Sequence, residues 1–373
     1  MNKSVLVFIG QFYPAYKNGG PLLSISNLLS LGFSKVSFKV ITQTNTKNNS
    51  VDAGCWKELR NFKVFISENY ADFRNGIVSS DCNIYYLNSF FDFKYSIAVV
   101  VLLRLRLIPK ARIILAPRGE FSTGALSIKT LKKRIFLFIV KSLNLYRNIV
   151  WHASTELEKG EIQREFGNEA FVKIALDIPL RDLKISPLMV KRKERNRLKI
   201  IFISRIVKKK NLKYVIDTLN KVQGDFYLDI YGPIGDVPYW QKCLDSIGPS
   251  IKEKINYLGA IDNAKIYTIF PKYDLFFFPT LGENFGHVIY ESLALGVPVL
   301  CSDTTPWKQF ENYNAGWSFS LTNQSRFVKK IEELVALDEI EFEKLRRGCF
   351  AYSNDVRNDK KNIEDNLNLF EGL

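Results

Sequence analysis

Short apolar, β-branched runs alternate along the whole chain with stretches whose apolar residues recur at helical spacing. In the first half the runs that predict strands are Val5–Ile9, Ser37–Thr42, Lys63–Ile66, Asn83–Leu87, Arg112–Ala116, Ile149–His152 and Val172–Leu176. Helical patterns lie between many of them, as at Leu22–Leu31, Ser96–Leu107 and Lys129–Leu145. Strands that are apolar almost throughout and alternate with helices predict a parallel sheet covered on both faces. The alternation breaks at Ser186–Arg197, a charged segment that opens on Ser-Pro and has no periodicity. It resumes with strands expected at Lys199–Ser204, Phe226–Tyr231, Ile255–Leu258, Leu275–Phe278, Val297–Cys301 and Trp317–Phe319.

The expected fold class is therefore α/β: two Rossmann-like, doubly wound domains whose strand C-terminal ends face a central cleft. A chain of 373 residues is long enough for both. The expected boundaries are 1–185 for the first domain, 186–197 for a linker and 198–355 for the second domain. Residues 356–373 would form a C-terminal helix that can pack back on the first. The charged run Phe327–Arg347 reads as one solvated helix, and Asn354–Leu373 as one more polar helix.

Composition narrows the class. With 46% hydrophobic and 24% charged residues the chain is globular rather than disordered. Five scattered cysteines without a CxxC pair argue against a disulfide framework or a cysteine zinc site, and for a reducing compartment. The apolar run near the N-terminus stops at Gly10 and reads as a buried strand rather than a signal peptide. Ser96–Leu103 and Ile135–Val140 fall short of the ~20 residues that span a bilayer, so a cytoplasmic or peripheral location is expected.

Charge then singles out one region. The net charge is +15, and between Val101 and Val150 eleven basic residues stand against a single acid, Glu120. Such a patch suits an anionic partner: a phospholipid surface, a lipid diphosphate or nucleic acid. Lys129–Leu145 places cations beside a strongly apolar run, the composition of a membrane-surface helix. A core helix with solvated cations has the same periodicity. A nucleic-acid-binding protein is the reading that charge alone would suggest. The chain has neither zinc spacing nor a recognition-helix or RNP-like aromatic pattern, and no nucleic acid partner is expected.

The stretch with most chemistry is Phe278–Leu300: a buried strand, a Gly-containing loop, a helix, a stop at Gly296 and another buried strand. The loop opens a helix at a parallel strand's C-terminal end, where backbone N–H groups and the helix dipole favour an anion. Glu283 lies in the loop and Glu291 roughly 8 Å along the helix. Two acceptors so spaced suit a ligand with hydroxyls at both ends and a diphosphate between them, each charge-assisted bond contributing ~1.5–3 kcal/mol. At the first strand after the linker, Arg205 and Lys210 leave a strand tip, where two cations can clamp a diphosphate and stabilise a departing one. Gly19-Gly20 closes the first strand and lets backbone approach a phosphate or sugar. It is not the GxGxxG fingerprint of a dehydrogenase.

Pro279 and Thr280, Glu283-Asn-Phe-Gly286, Glu291-Ser-Leu-Ala and Gly296-Val-Pro-Val together resemble the Glu-x7-Glu signature of retaining glycosyltransferases of family 4, group 1. Asn284 stands where that family usually has glycine, and Asn tolerates positive φ better than other residues. Ile201–Asn211 is similar to the family's Gly-Arg-x4-Lys-Gly segment, with Ser204 and Asn211 at the glycines. The resemblance implies a GT-B fold and a metal-independent, retaining transfer from a nucleotide-diphosphate sugar. Glu283 would hold the sugar hydroxyls, Glu291 the ribose, and amides around Phe285, Gly286 and His287 the diphosphate. Arg205 and Lys210 would replace a metal at the leaving group. No Asp-x-Asp or His-rich metal spacing occurs, and no cofactor is expected.

In the first domain, many relatives carry His where Arg118 falls. Arg118 can bind an acceptor phosphate, close on the donor, or simply belong to the basic patch. His152 matches a strand-end His or Thr of the group, or is a packed histidine. The implied acceptor is a growing surface glycan on a polyprenyl diphosphate, and the implied location is the inner face of the cytoplasmic membrane. A GT-B epimerase or phosphorylase is the alternative within enzymes.

Overall fold

The structure, a computed structural model, describes residues 3–12, 19–43, 53–59, 61–126, 130–181 and 192–371. The chain forms two compact units, one of residues 1–181 with 359–373 and the other of residues 182–358. The first carries β1 (Lys3–Gln11), β2 (Val36–Gln43), β3 (Trp56–Glu58), β4 (Phe62–Ile66), β5 (Ile84–Asn88), β6 (Arg112–Ala116), β7 (Val150–Ala153) and β8 (Val172–Ile174). Their order across the sheet is β3-β4-β2-β1-β5-β6-β7-β8. Every pairing is parallel except β3 on β4. The second unit carries β9 (Arg197–Ile203), β10 (Asp225–Tyr231), β11 (Ile255–Tyr257), β12 (Leu275–Phe278), β13 (Val299–Ser302) and β14 (Gly316–Phe319). Their order is β11-β10-β9-β12-β13-β14, parallel throughout.

Both sheets start at a central strand, grow to one side, then restart on the other. That is the doubly wound order, and it leaves one reversal point per unit: β1/β5 in the first and β9/β12 in the second. Helices on both faces explain why the central strands alternate so little. Val5–Phe8 and Leu275–Phe278 are wholly buried on both sides. In the first unit one face packs Phe90, Phe121, Trp151 and Phe166 in mutual ring contact. The other face packs Leu22, Ile25, Val40 and Tyr86.

Four features differ from the expectations. Strand β3 has three residues with a single apolar side chain, Trp56, whose ring meets Phe65 at 5.3 Å; so short an edge strand has no readable period. Phe327–Arg347 is not one solvated helix but parts of two, Gln324–Ala336 and Glu339–Arg357. They separate at Asp338, which forms a capping box with Glu341. Each buries a stripe, Phe327, Ile331 and Leu334 on one and Phe342, Leu345 and Cys349 on the other, which the interspersed charges mask in the sequence. Residues 186–191 of the expected linker lie outside the described residues, while Lys193 is buried, its amide donating to Glu339 at 2.6 Å and its Nζ to the carbonyl of Glu194 at 2.7 Å. Finally, the C-terminal helix Lys360–Glu371 is polar on one side only. Phe370, fully buried, meets Phe38 at 5.3 Å and Tyr86 at 5.6 Å, and the Asn366 amide donates to the carbonyl of Leu176.

That last contact makes the first unit depend on residues from the far end of the chain. Phe370→Ala should cost about 3–5 kcal/mol through the cavity it leaves. Amide hydrogen exchange should then accelerate across β1, β2 and β5 and stay unchanged across β9–β14. Equal acceleration in both sheets, or none in either, would show that the helix is not part of the first unit's core.

Candidate functional site

The site assembles at the reversal point of the second sheet. Beyond β9, Ser204 passes under Gly232, whose backbone lies so close that a Cβ there would sit 1.8 Å from the Ser204 carbonyl oxygen. Arg205 emerges exposed, its stem lying over Gly235, where a Cβ would come within 2.7 Å of the Arg205 Cδ. The chain then makes a short 3-10 turn, Lys208–Lys210, ended by Asn211 in the left-handed conformation at φ 60°. Asn211 thus adopts the backbone form usual for glycine, and its side-chain amide donates to the Pro279 carbonyl at 2.9 Å.

Beyond β12 the loop 279–286 is tied to that turn. The Leu281 amide donates to the Lys209 carbonyl at 2.8 Å, and the Thr280 carbonyl accepts from the hydroxyls of Ser302, the last residue of β13, and Thr304 just beyond it. The Lys210 ammonium meets the Glu283 carboxylate at 2.5 Å, and the Thr280 hydroxyl donates to the same Oε1 at 3.0 Å. Lys210 also lies over the Phe278 ring at 5.4 Å. The turns at the left-handed positions are made by Gly282 (φ 155°) and Gly286 (φ 81°). Asn284 is not at positive φ, contrary to the expectation that its tolerance of that region keeps the loop intact. Its side-chain Nδ2 is instead buried with no hydrogen-bond partner, a donor left over for a ligand.

Gly286 starts the helix His287–Ala294 without a side-chain cap. The Phe285 carbonyl accepts from the Trp307 indole at 2.5 Å, which fixes the loop just before the helix amides. His287 is buried with its ring 4.8 Å from that of Phe285. Glu291, one turn further on, is 6% exposed, and its carboxylate has no hydrogen-bond partner among the described residues. Burial alone pushes it up to about 8. Tyr267, on the helix Asn263–Ile269, is close enough to feel its charge. A buried acid without an internal donor is costly to the fold and suits a ligand that brings its own hydroxyls. Sequence pattern did not single out Trp307 or Tyr267, which lie outside the signature and meet it only in the fold.

The first unit treats its strand ends differently. Gly19, at φ 105°, precedes the helix Gly20–Ser30, and a Cβ at Gly20 would meet nothing within 4 Å among the described residues. This turn is open on its surface. Arg118, in contrast, is neither solvated nor unpaired. Its guanidinium is buried, ion-paired to Asp177, and donates to Asn88 at 2.7 Å and to the Tyr86 hydroxyl at 2.9 Å. The same Tyr86 oxygen meets His152 Nδ1 at 2.7 Å, and His152 Nε2 meets the Ala175 carbonyl at 2.9 Å. Burial and the neighbouring Arg118 charge hold His152 at about 4, so it is neutral near pH 7. All three Arg118 nitrogens and both His152 nitrogens are therefore engaged inside the unit. The reading of Arg118 as part of the solvated basic patch is corrected: Asp177, nearly sixty residues away in sequence, neutralises it.

The site's residues lie where the comparisons with known proteins are sharpest. Residues 189–349, all within the second unit, match the family model described as Glycosyl transferases group 1. An uncharacterised 41.2 kDa protein in the cps region of Klebsiella pneumoniae is 22% identical over 180 residues. That match covers 47% of this chain and 48% of the relative, so the chain spans about half the relative's length. Among solved structures, Anabaena Alr3699/HepE in complex with UDP and glucose superposes with a TM-score of 0.71 at 14% identity, covering 100% of both chains. WaaG, a glycosyltransferase involved in lipopolysaccharide biosynthesis, gives 0.63 at 11% identity, covering 99% of this chain and 100% of that one. At such identities the likeness is one of fold: two parallel-sheet α/β domains of the GT-B kind.

The raised Glu291 has a stability signature. Unfolded, it titrates near 4.5; folded, at about 8. The folded state therefore binds the extra proton between these values, and stability falls as pH rises through this window. Glu291→Gln should melt like the wild type near pH 4.5 and above it near pH 8, by at least ~1 kcal/mol since one pKa unit is worth ~1.4 kcal/mol. A difference in melting temperature that does not change with pH would refute the buried, unpartnered carboxylate.

Proposed function

We propose that this chain is a retaining glycosyltransferase that moves a sugar from a nucleotide-diphosphate donor onto a growing, lipid-linked surface polysaccharide. The observation that carries the proposal is the Lys210–Glu283 pair joining the ends of β9 and β12, with the Asn284 amide beside it in the loop and the Glu291 carboxylate on the following helix both without hydrogen-bond partners among the described residues, and with Arg205 exposed at the tip of β9. Glu291 takes the ribose hydroxyls, whose donated hydrogen bonds favour its ionised form and so lower its pKa on binding. The helix start at Phe285–His287, with Asn284, takes the diphosphate. Glu283 takes hydroxyls of the sugar. Arg205 and Lys210 supply, without a metal ion, the positive charge that meets the leaving diphosphate.

Lys210 and Glu283 neutralise each other. An arriving donor offers phosphate to the ammonium and hydroxyls to the carboxylate, so both partners exchange for better-matched ones. The bond from the anomeric carbon to the diphosphate oxygen then breaks as an acceptor hydroxyl attacks on the same face. The departing phosphate takes the acceptor's proton. Gly19-Gly20 is assigned to the acceptor side. Support for a nucleotide-sugar donor comes from the relative solved with UDP and glucose, and for a surface polysaccharide from those of the cps region and lipopolysaccharide biosynthesis. A lipid-linked acceptor implies work at the inner face of the cytoplasmic membrane as a peripheral protein, and no helix among the described residues is long and apolar enough to cross a membrane.

A thermal-shift screen against UDP-, GDP-, ADP- and dTDP-sugars tests this reading. One donor should raise the melting temperature, since a ligand at ~100 times its dissociation constant adds ~2.7 kcal/mol. Glu291→Ala should abolish that shift. Lys210→Ala should keep most of it and lower turnover about 10²–10³-fold, the usual cost of losing one group that meets transition-state charge. An unaltered shift in Glu291→Ala removes its ribose role. Donor consumption at full rate without acceptor points to a GT-B epimerase or hydrolase instead.

A further inference from the structure

The helix Thr130–Ser142 has two apolar faces, and only one of them is used by the fold. Leu137 and Val140 are buried in the first unit's core, and Phe136 packs there against Phe90 at 5.6 Å. On the opposite side Leu131 is 73% exposed, Ile135 51%, Phe138 72% and Ile139 47%, with Leu143 at 69% just past the helix end. The four within the helix recur at spacings of four, three and one, which is a single stripe on an α-helix. No core position explains it. A stripe of large apolar side chains left in water on a protein surface marks a partner.

Charge decides which partner. Lys132 flanks the stripe on one side and Arg134 on the other, both exposed. The turn beyond the neighbouring helix Ala98–Arg104 is tied to the end of this one, because the Arg104 guanidinium donates to the carbonyls of Leu145 and Arg147. That turn adds two more exposed apolar residues, Leu105 and Leu107, with Arg106 between them. The single acid of residues 101–150 is turned away: Glu120 accepts hydrogen bonds from the Ser89 hydroxyl and the amides of Phe90 and Phe91. The acid facing this helix from Glu156–Phe166 is Glu165, and Lys141 neutralises it at 2.8 Å.

An apolar stripe rimmed by cations and cleared of free acids is complementary to the headgroup layer of an anionic bilayer. Apolar side chains enter the acyl boundary there and Lys and Arg meet phosphate. A second copy of the chain is a poor match, since a two-fold contact would oppose the two cationic rims. We infer that the outer face of Thr130–Ser142, with the turn Leu105–Leu107, is the surface by which this protein docks on membranes bearing anionic lipids. The inference deepens the peripheral location proposed above and rests on it, but not on the transfer reaction.

Flotation of the full chain with vesicles tests it. The protein should float with phosphatidylglycerol–phosphatidylethanolamine vesicles, far less with phosphatidylcholine alone, and less as salt increases. Lys132→Glu with Arg134→Glu should weaken the partition at least ~tenfold, each basic residue at such a surface being worth roughly a factor of five. Phe138→Ser with Ile139→Ser should abolish flotation while leaving the melting temperature and the donor-induced shift at wild-type values, because these side chains face water in the fold. Wild-type flotation by either variant overturns the proposal. So does equal binding to phosphatidylcholine, or a stable dimer that Phe138→Ser dissolves, which would show a second copy covering the face. Flotation that holds while no nucleotide-sugar binds would leave the surface standing and sink the transferase reading.

Discussion

The contact on which the chemistry proposed for the second unit rests is the clasp between the ends of β9 and β12. The Lys209 carbonyl accepts from the Leu281 amide, Asn211 donates to Pro279, and Lys210 pairs with Glu283. Neighbouring strands at a reversal point diverge in their connections, so something has to hold the two loops together if side chains from both are to meet one ligand. Here the Leu281–Lys209 backbone hydrogen bond and the Asn211 side-chain amide do it, and the ion pair rests on that frame. The pair is partly buried, so separating its partners without replacement has a cost that a ligand of matching charge can offset. A set of groups held before the ligand arrives loses little freedom on binding, and that preorganisation is where such sites gain their effect.

The two units share a strand order and use it in opposite ways. In the second, Arg205 and Asn284 beyond the strand ends and Glu291 on the helix that follows have no side-chain partners among the described residues. In the first, the ends of β5, β6 and β7 are closed by a network running from Ser24 through Asp177, Arg118 and Tyr86 to His152. A buried cation needs a buried anion, and each added donor or acceptor has been matched. That network gives the first unit rigid strand ends. The glycine turn at Gly19-Gly20, by contrast, is exposed among the described residues. The first unit's other distinctive surface is the doubly apolar helix Thr130–Ser142, which serves the core on one side and leaves a hydrophobic, cation-rimmed face on the other.

Much of the fold was legible from the order of apolar runs. Thirteen of the fourteen strands among the described residues coincide, within a few residues, with runs readable as buried strands, because parallel strands covered on both faces write their burial as continuous Val, Ile, Leu and Phe. β3 escaped because three residues with one tryptophan carry no period. The helices from Gln324 to Arg357 were read as solvated because their ion pairs sit between the apolar positions. Among the candidate site residues, Arg205, Lys210 and Glu283 could be named because they follow strand ends, and Glu291 because it stands in the Glu-x7-Glu pattern that begins at Glu283.

What the sequence by itself determined is the alternation of elements, the place of each strand tip and the residue types found there. Those follow from local periodicity and chain direction. Which tips stay open was decided only in three dimensions. Arg118 and His152 stand at strand ends just as Arg205 does, yet Asp177, Tyr86 and Ala175 consume them. Whether the apolar residues of Thr130–Ser142 met the core or the solvent was likewise undetermined, since a helix hydrophobic on both sides has one periodicity and two possible faces. Partnership between distant residues depends on the packing of whole elements, and no local pattern encodes it.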